Sequence, residues 1–148
     1  MEIKKKFGKK TTNLTSILNG AVPIACNNEH FGRAENILAP GTGKNMGDGW
    51  ETRRSRGKNF DWLILKCATE GKISKIQIDT HHFKGNYPNK CSLQATYLKG
   101  KIGSNTIINN SKKWKLLLNK VKLHAHKKHN FHNQLMNCLL YTSDAADE

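Results

Sequence analysis

Acidic side chains are scarce in this sequence, and the scarcity bears on its partners. The 148 residues include 11 Asp and Glu against 25 Lys and Arg, which gives a formal net charge of +14. Such a charge can indicate a nucleic-acid partner. The lysines, however, are spread along the chain, and no RNP, helix-turn-helix or zinc-finger pattern accompanies them. We therefore expect a solvated basic surface and no nucleic-acid partner, with a positive field that also favours an anionic small substrate.

Long apolar runs are absent as well. Hydrophobic residues make up 36% of the chain, which permits one modest core in one domain of ordinary size. No stretch approaches the roughly 18 consecutive apolar residues of a membrane-spanning helix. The charged start at residues 1–6 is followed by no apolar segment typical of a secretory signal. We expect no membrane partner.

Cysteine is present, but not in pairs that suit a bridge or a metal. The four cysteines are widely separated, at Cys26, Cys67, Cys91 and Cys138. None forms a Cys-x-x-Cys pair, and this spacing favours reduced thiols in an intracellular compartment over a disulfide framework or a zinc site. We expect neither a metal nor a cofactor.

The glycine-rich stretch at residues 41–44 lacks the other residues of a phosphate-binding loop. Such a loop needs Gly at the position of Leu38 and Ser or Thr at the position of Asn45. The glycines instead predict tight turns beside a site.

Short apolar segments separated by turn signals predict an all-β sandwich with little helix. The predicted strands are residues 21–26, 61–67, 73–80 and 91–98. Residues 13–20 predict a helical turn that ends at Gly20, because Gly is a good residue after a helix. The remaining segments are irregular at 27–49, a loop at 100–113, and an apolar patch of undetermined type at 114–118 and 121–123.

A dense polar block lies between the first two predicted strands, at residues 46–56, and contains Asp48, Glu51, Arg53 and Arg54. Arg presents a planar fork that binds a carboxylate through two hydrogen bonds. In an extended segment Arg53 and Arg54 point to opposite sides, so only one of them lines a pocket. The alternative is a solvated basic strand with a weak pair to Glu51.

A second polar block, at residues 78–88, begins at the end of the third predicted strand. Asp79 is a candidate to orient His82 as a base, since a carboxylate fixes the imidazole tautomer. Lys84 and Asn86 follow, and an amide can both donate and accept hydrogen bonds with flat, urea-like groups. Taken singly, Asp79 is better explained as a turn cap and His82 as a surface histidine, but their clustering favours function.

The segment at residues 124–137 is rich in His, Lys and Asn, with histidines at His124, His126, His129 and His132. Spacings of two and three residues can gather imidazoles around a transition metal. No carboxylate accompanies them, however, and Lys127 and Lys128 would repel a cation. We therefore prefer a solvated or partly disordered segment.

The two polar blocks, in this order, resemble the allantoicase family. The resemblance rests on Gly-Asp-Gly-Trp-Glu-Thr-Arg-Arg at 47–54, on Asp-Thr-x-His-Phe-Lys-Gly-Asn-Tyr-Pro at 79–88, and on the segment 25–41 before them. The sequence of these segments is more similar to the second of the family's two tandem repeats. Two departures stand out, because Thr42 occupies a position where the family tends to have Arg, and His81 one where it tends to have a small residue.

The resemblance implies a jelly-roll-like, galactose-binding-like β-sandwich, incomplete in this chain, that hydrolyses allantoate to ureidoglycolate and urea in purine and allantoin breakdown. It implies catalytic roles for Glu51, Asp79 and His82, and substrate contacts from His30, Asp48, Arg53, Arg54, Lys84 and Asn86. The implied partners are allantoate, a second repeat and further copies in a homo-oligomer, in the cytoplasm or peroxisome. A non-catalytic β-sandwich that binds a small ligand stays open as the other function.

The end of the chain is of a different character. Residues 138–148 resemble a translated sequencing adapter, and we expect them to be foreign to the domain. The truncated repeat domain is then expected at residues 13–137, after a segment 1–12 that is the end of a preceding element or disordered.

Overall fold

Short antiparallel strands form most of the regular structure. The computed structural model describes residues 2–4, 11–57, 59–132 and 139–140. Its strands are β1 (Glu2–Lys4), β2 (Thr11–Asn13), β3 (Val22–Cys26), β4 (Leu63–Lys66), β5 (Gly71–Lys72), β6 (Ile76–Asp79), β7 (Lys90–Ala95), β8 (Lys115–Lys122), β9 (Lys128–Phe131) and β10 (Leu139–Leu140). One α-helix, α1 (Ser104–Ser111), and three short 3₁₀ turns, Ile17–Asn19, Ala34–Leu38 and Met46–Asp48, complete the described elements.

The strands pair in five antiparallel couples within the described residues, β1 with β2, β3 with β4, β5 with β10, β6 with β9 and β7 with β8. The all-β prediction is therefore confirmed. The register of β3 shifts between Pro23 and Ala25. A proline cannot donate to a strand ladder, and such irregularities are where sheets accommodate it.

The predicted strands are found, with shorter bounds than the apolar pattern suggested. In β7 the side chains of Cys91, Leu93 and Ala95 are half-buried and those between them are exposed, as period-two alternation predicts. The predicted turn before β3 is also confirmed. Ser16 caps it by accepting from the Leu18 N–H at 3.2 Å, and Gly20 closes it with a left-handed φ of 109°, a conformation that favours glycine.

The prediction of a loop at 100–113 is wrong, because α1 lies there. Its sequence is polar and rich in Asn, a weak helix former, so no helical pattern is visible. Tertiary packing overrides that propensity. Ile107 is buried, and its N–H bonds the Gly103 carbonyl at 3.1 Å.

The interpretation of residues 124–137 as solvated or partly disordered is wrong for their first half. β9 pairs with β6 through four residue pairs, including Ile78 with His129. His129 is buried, and both ring nitrogens bond to backbone. Nδ1 lies 2.9 Å from the Ile78 carbonyl, and Nε2 accepts from the His124 N–H at 2.9 Å. The ring is thus a structural link, while residues 133–137 lie outside the described part.

The apolar patch of undetermined type proves to be the long strand β8, which supplies the centre of the core. Five buried residues form one cluster, namely Leu14, Ile73, Ile76, Leu117 and Leu118. Burial of each such side chain contributes roughly 1.5–3 kcal/mol. This core fixes β6, and with it the start of the second polar block.

The ends of the chain are described only in part. The backbone of β1 pairs with β2, and that of β10 with β5. The rest of the predicted tail at 138–148 lies outside the described residues, so its adapter origin and the boundaries at 13 and 137 stay predictions. Among the described helices, none has the length and apolar character required to cross a bilayer.

Candidate functional site

The first polar block is anchored at the point where β3 ends and the chain enters β4. Asn27 spans this point, since its N–H donates to the Trp62 carbonyl at 3.2 Å and its Oδ1 accepts from the Trp62 N–H at 2.8 Å. Asn27 Nδ2 donates to Asp61 Oδ1 at 2.8 Å, and the Thr52 hydroxyl donates to Asp61 Oδ2 at 2.7 Å. The carboxylate of Asp61 therefore ties the block to the strand pair.

Asn28 fixes the block from the other side. Its carbonyl accepts from the Trp50 indole N–H at 2.9 Å, and its side-chain Oδ1 accepts from the Arg53 N–H at 3.1 Å. The backbone between Trp50 and Arg53 is thus held at both ends. Glu51 lies at its centre.

Glu51 is the most firmly placed of the predicted catalytic residues. Its backbone carbonyl accepts from three consecutive N–H groups, those of His30, Phe31 and Gly32, at 3.1–3.3 Å. Its own N–H donates to the Gly32 carbonyl at 3.2 Å. This close approach requires glycine, because a Cβ at position 32 would overlap the carbonyl oxygen of Gly49.

Arg53 and His30 come together as candidate anion-binding residues. Arg53 Nη2 lies 3.5 Å from His30 Nδ1. An Arg can only donate, so this long contact uses His30 Nδ1 as an acceptor. Within the described chain, the ion pairs are Arg33–Glu35 and His81–Asp79, so the Arg53 guanidinium has no acidic partner there.

Two other predicted cations, Arg54 and Lys84, are exposed. They lie at the surface beside the candidate site. Asp48 has a structural task. Its Oδ2 accepts from the Lys44 N–H at 2.7 Å and from the Asn45 N–H at 3.4 Å, which closes the loop before the Met46–Asp48 turn.

The second polar block docks directly on the first through residues far apart in sequence. His82 Nε2 lies 2.7 Å from the Gly43 carbonyl, so Nε2 carries the proton and donates. Further along, Asn86 Nδ2 donates to Glu51 Oε1 at 3.0 Å and lies 3.4 Å from Met46 Sδ. The two blocks predicted from sequence therefore form one surface.

Phe83 lies between His82 and Asn86 in sequence, and its ring packs against the first block at Gly49. A Cβ at Gly49 would lie 2.8 Å from the Phe83 ring, closer than real Cβ contacts. The ring packs against a glycine backbone, so the two loops approach more closely than a larger residue at position 49 would allow.

The predicted pairing of Asp79 with His82 is wrong. Asp79 Oδ1 lies 2.6 Å from His81 Nδ1 and also accepts from the His81 N–H at 2.9 Å. Residues two apart share a side of an extended chain, so the partner available at the end of β6 is His81. Its side chain is 30% exposed and that of Asp79 27% exposed, which leaves His81 Nε2 for solvent or a ligand.

Sequence reasoning missed His126, which meets this surface from the turn between β8 and β9. Its Nδ1 accepts from the His82 N–H at 2.8 Å. Its ring centroid lies 4.6 Å from that of His81 and 5.6 Å from that of His82. Desolvation, followed by the charges of His81, Lys84 and His82, lowers the pKa of His126, while Asp79 opposes the shift.

A family model described as the allantoicase repeat matches residues 12–142 of this chain. The chain belongs to the allantoicase repeat family. The resemblance carried by the two polar blocks is thereby confirmed, and those blocks are the parts of the repeat that the fold brings together.

Relatives named as allantoicases support the assignment. The chain is 48% identical over 123 residues to the probable allantoicase 1 of Burkholderia mallei, with 83% of this chain and 36% of the relative covered. It is 49% identical over 123 residues to a probable allantoicase of Pseudomonas fluorescens SBW25, covering 83% and 37%. The chain thus spans little more than a third of these relatives.

Solved structures of allantoicases share the fold. The crystal structure of the allantoicase from Saccharomyces cerevisiae matches with a TM-score of 0.71 and 32% identity, over 86% of this chain and 36% of that one. A second allantoicase structure matches with a TM-score of 0.70 and 32% identity, over 86% and 37%. The antiparallel strands of this repeat therefore follow an allantoicase architecture.

Within this allantoicase repeat, the predicted site residues fall into two linked groups. One contains Glu51, Asn86, Arg53 and His30, joined by the contacts around the Glu51 backbone. The other is centred on His82 and contains Asp79 only through its neighbour His81. The Gly43–Asp48 loop connects the groups, because it contacts both His82 and Asn86.

Proposed function

We propose that this repeat carries a site for hydrolysis of allantoate to ureidoglycolate and urea. The observation that supports the proposal best is the 3.0 Å bond from Asn86 to Glu51. The bond joins an amide of the second block to a carboxylate of the first, and Arg53 follows that carboxylate by two residues. Allantoate offers a carboxylate and two ureido groups, which such groups complement.

Arg53 is proposed to bind the substrate carboxylate. Its guanidinium faces no acidic side chain among the described residues, and charge-assisted, two-pronged hydrogen bonds are its strongest interaction. The net charge of +14 attracts the anion at longer range. Arg54 and Lys84 are exposed beside it and are proposed to contribute further substrate contacts.

Glu51 is proposed as the base that activates water. In the reaction the water oxygen bonds to the central carbon as the bond from that carbon to one ureido nitrogen breaks. The water gives one proton to the base, and the departing nitrogen gains one from an acid, which releases urea. Asn86 holds the Glu51 carboxylate, and its own Oδ1 is suited to accept from a ureido N–H.

His82 is proposed as the acid that protonates the departing urea. Its Nε2–H donates to the Gly43 carbonyl, so the proton given to the urea nitrogen is a second one, on Nδ1, that the ring carries only as imidazolium. Loss of that proton returns the ring to the neutral form with its proton on Nε2. Asp79 is proposed to act through His81, whose Nδ1 it holds. His30 orients Arg53, and Asp48 supports the loop that carries the Gly43 carbonyl.

We also propose that the site operates beside a second allantoicase repeat and that copies assemble into a homo-oligomer. Length supports the second repeat, since the chain covers 36% of the first relative and 36% of the yeast structure. Its similarity to the second repeat and the domain limits of 13–137 belong to the same proposal.

A chimera tests the proposed activity without a need for the rest of this protein. Residues 13–137 replace the matching segment of the Pseudomonas fluorescens relative, and urea and ureidoglycolate are measured from allantoate. We expect turnover, and a loss of about 100-fold or more in kcat for Glu51→Gln, because general acid–base groups contribute about that much. Glu35→Gln, in an exposed pair with Arg33, is the matched control and should retain activity.

The result against the proposal is a folded chimera that releases no urea while the intact relative does so. If that chimera still binds allantoate, the non-catalytic ligand-binding sandwich becomes the better account of this chain. Loss of activity in Glu35→Gln equal to that in Glu51→Gln would remove the specific role of Glu51.

A further inference from the structure

A histidine outside both polar blocks is bonded to the loop that carries His82. His126 Nδ1 accepts from the His82 N–H at 2.8 Å, and the His126 N–H donates to the Phe83 carbonyl at 3.0 Å. The first of these bonds involves the His126 side chain, so it depends on the chemistry of the imidazole. An accepting Nδ1 carries no proton, and the neutral ring then has its proton on Nε2.

The two residues joined by this side-chain bond both have an unusual backbone conformation. His82 has a φ of 73° and His126 a φ of 48°, both in the left-handed region. Residues other than glycine remain there only where their surroundings impose it. In this conformation His82 Nε2 donates to the Gly43 carbonyl, so the partner of the His82 N–H bears on the contact between the second polar block and the Gly43–Asp48 loop.

The turn that carries His126 is fixed independently of its ring. Thr80 is buried, and its hydroxyl lies 2.6 Å from the His124 carbonyl. The Thr80 N–H donates to the Lys127 carbonyl at 2.9 Å. Replacement of the His126 side chain should therefore leave the turn in place and change only what it presents to His82.

We propose that His126 is a positioning residue for the site, whose neutral ring holds His82 in its left-handed conformation and whose protonation releases the His82 loop. Only the expected effect of His126 on catalysis rests on the proposed function. The link between the ring of His126 and the backbone of His82 is a property of the fold.

The surroundings of His126 oppose its protonation. A proton on Nδ1 would face the His82 N–H and abolish the bond. Desolvation is the largest cause that lowers the pKa of His126 from its ordinary 6.5, followed by the charges of His81, Lys84 and His82 on the opposing loop. The charge of Asp79 acts in the other direction. The folded state thus prefers the neutral ring. Its stabilising bond is present above pH 6.5 and is lost as the pH falls through the lowered pKa.

The same three rings do not suit a metal ion. Three imidazoles at 4.6–6.1 Å between centroids suggest one at first sight. With Nδ1 of His126 accepting, however, Nε2 holds the proton and is no ligand. In agreement, the described residues contain no group of three or more His, Cys, Asp or Glu that is arranged to hold a metal.

Histidine ring NMR on the full chain tests the proposal without reference to activity. Long-range ¹H–¹⁵N spectra of ¹⁵N-histidine protein report the tautomer of each ring. We expect the Nε2–H form for His126 near pH 7, and a His82 amide resonance that shifts with the His126 midpoint below pH 6.5. An Nδ1–H form, or a His82 amide that ignores the His126 titration, would overturn the proposal.

Two variants separate the acceptor from the backbone. His126→Asn keeps an acceptor near the Nδ1 position, tolerates positive φ and cannot gain a proton. The His82 amide should keep its neutral-pH position and lose that transition. His126→Gly also permits positive φ but removes the acceptor, and should shift the His82 amide at every pH. His124→Asn, a neighbouring exposed histidine, is the control and should retain the transition.

Kinetics of the same variants in the chimera distinguish the two proposals. His126→Gly should lower kcat about 10-fold, the cost of roughly one hydrogen bond, with KM little changed. His126→Asn should restore kcat and remove the part of its fall at acidic pH that comes from protonation of His126. If no chimera is active but the NMR coupling is present, the proposed function fails and the positioning role stands. If the chimera is active and His126→Gly matches His124→Asn, the positioning role fails.

Discussion

Asn86 donates a 3.0 Å hydrogen bond to the carboxylate of Glu51, and the bond joins two loops that are 35 residues apart in sequence. Glu51 is held by its backbone to Gly32, and Asn86 belongs to the loop that carries His82. An amide that donates to a carboxylate keeps its own carbonyl oxygen for another partner. The pair thus orients the carboxylate of the proposed base and offers an acceptor at the same place.

Removal of the Asn86 amide should therefore weaken both substrate binding and turnover. In the chimera we expect Asn86→Ala to lower kcat/KM about 10-fold, since a net hydrogen bond is worth about 1 kcal/mol, or more to a charged group. Combined with Glu51→Gln, the losses should be less than additive, because the two residues act through one contact. Asn105→Ala, exposed on α1, serves as the control, and fully additive losses would argue against the pair.

Gly32 should be intolerant of any side chain. A Cβ there would overlap the Gly49 carbonyl oxygen, and relief requires movement of the backbone that places Glu51. We expect Gly32→Ala to lower the free energy of unfolding by about 1–3 kcal/mol, measured by urea denaturation. Gly85→Ala, where an added Cβ meets nothing within 4 Å, should change it far less. Equal stabilities for the two variants would refute the close approach.

Arg53 should act through its forked guanidinium and not through charge alone. In the chimera, Arg53→Lys keeps the charge but loses the two-pronged geometry, so KM for allantoate should rise about 10-fold or more. Arg33→Lys makes the same change at an exposed arginine that is paired with Glu35, and should leave KM unaltered. An Arg53→Lys enzyme with unaltered KM would transfer the carboxylate role to Arg54 or Lys84.

The half-buried thiols should react slowly. Desolvation raises the pKa of Cys67 and of Cys91, and desolvation followed by the charge of Glu29 raises the pKa of Cys26. A raised pKa lowers the thiolate fraction at pH 8, and the thiolate is the reactive form. We expect iodoacetamide to alkylate these positions more slowly than free N-acetylcysteine, with rates that still rise above pH 9. Site-resolved mass spectrometry checks this, and faster labelling at any of the three would contradict it.

The sequence was most informative where side-chain pattern and backbone geometry coincide. Alternation through β7 was predicted because period two is a local property of a half-buried strand. The two polar blocks stood out as dense runs of Asp, Glu, His and Arg near strand ends. The spacing of Asp79 and His81, two residues apart at the end of a strand, is a signal for their pairing that the prediction of an Asp79–His82 pair overlooks.

Other features depend on tertiary context. Helix α1 is composed mostly of residues with weak helix propensity and is stabilised by the burial of Ile107. The bond between His82 and His126 spans 44 positions and exists only because β6 pairs with β9. Likewise, the sequence does not indicate that Asn28 fixes the backbone between Trp50 and Arg53. Such contacts follow from strand pairing, which a single sequence does not specify.

The most direct measurement of the central claim, that the two polar blocks form one allantoate site, is an allantoate titration of the ¹⁵N-labelled full chain by amide NMR. We expect the amides at 47–54 and at 82–86 to shift together with one common dissociation constant, and equal concentrations of urea or acetate not to reproduce the pattern. Shifts confined to one block, or an unchanged spectrum from the folded chain, would contradict it.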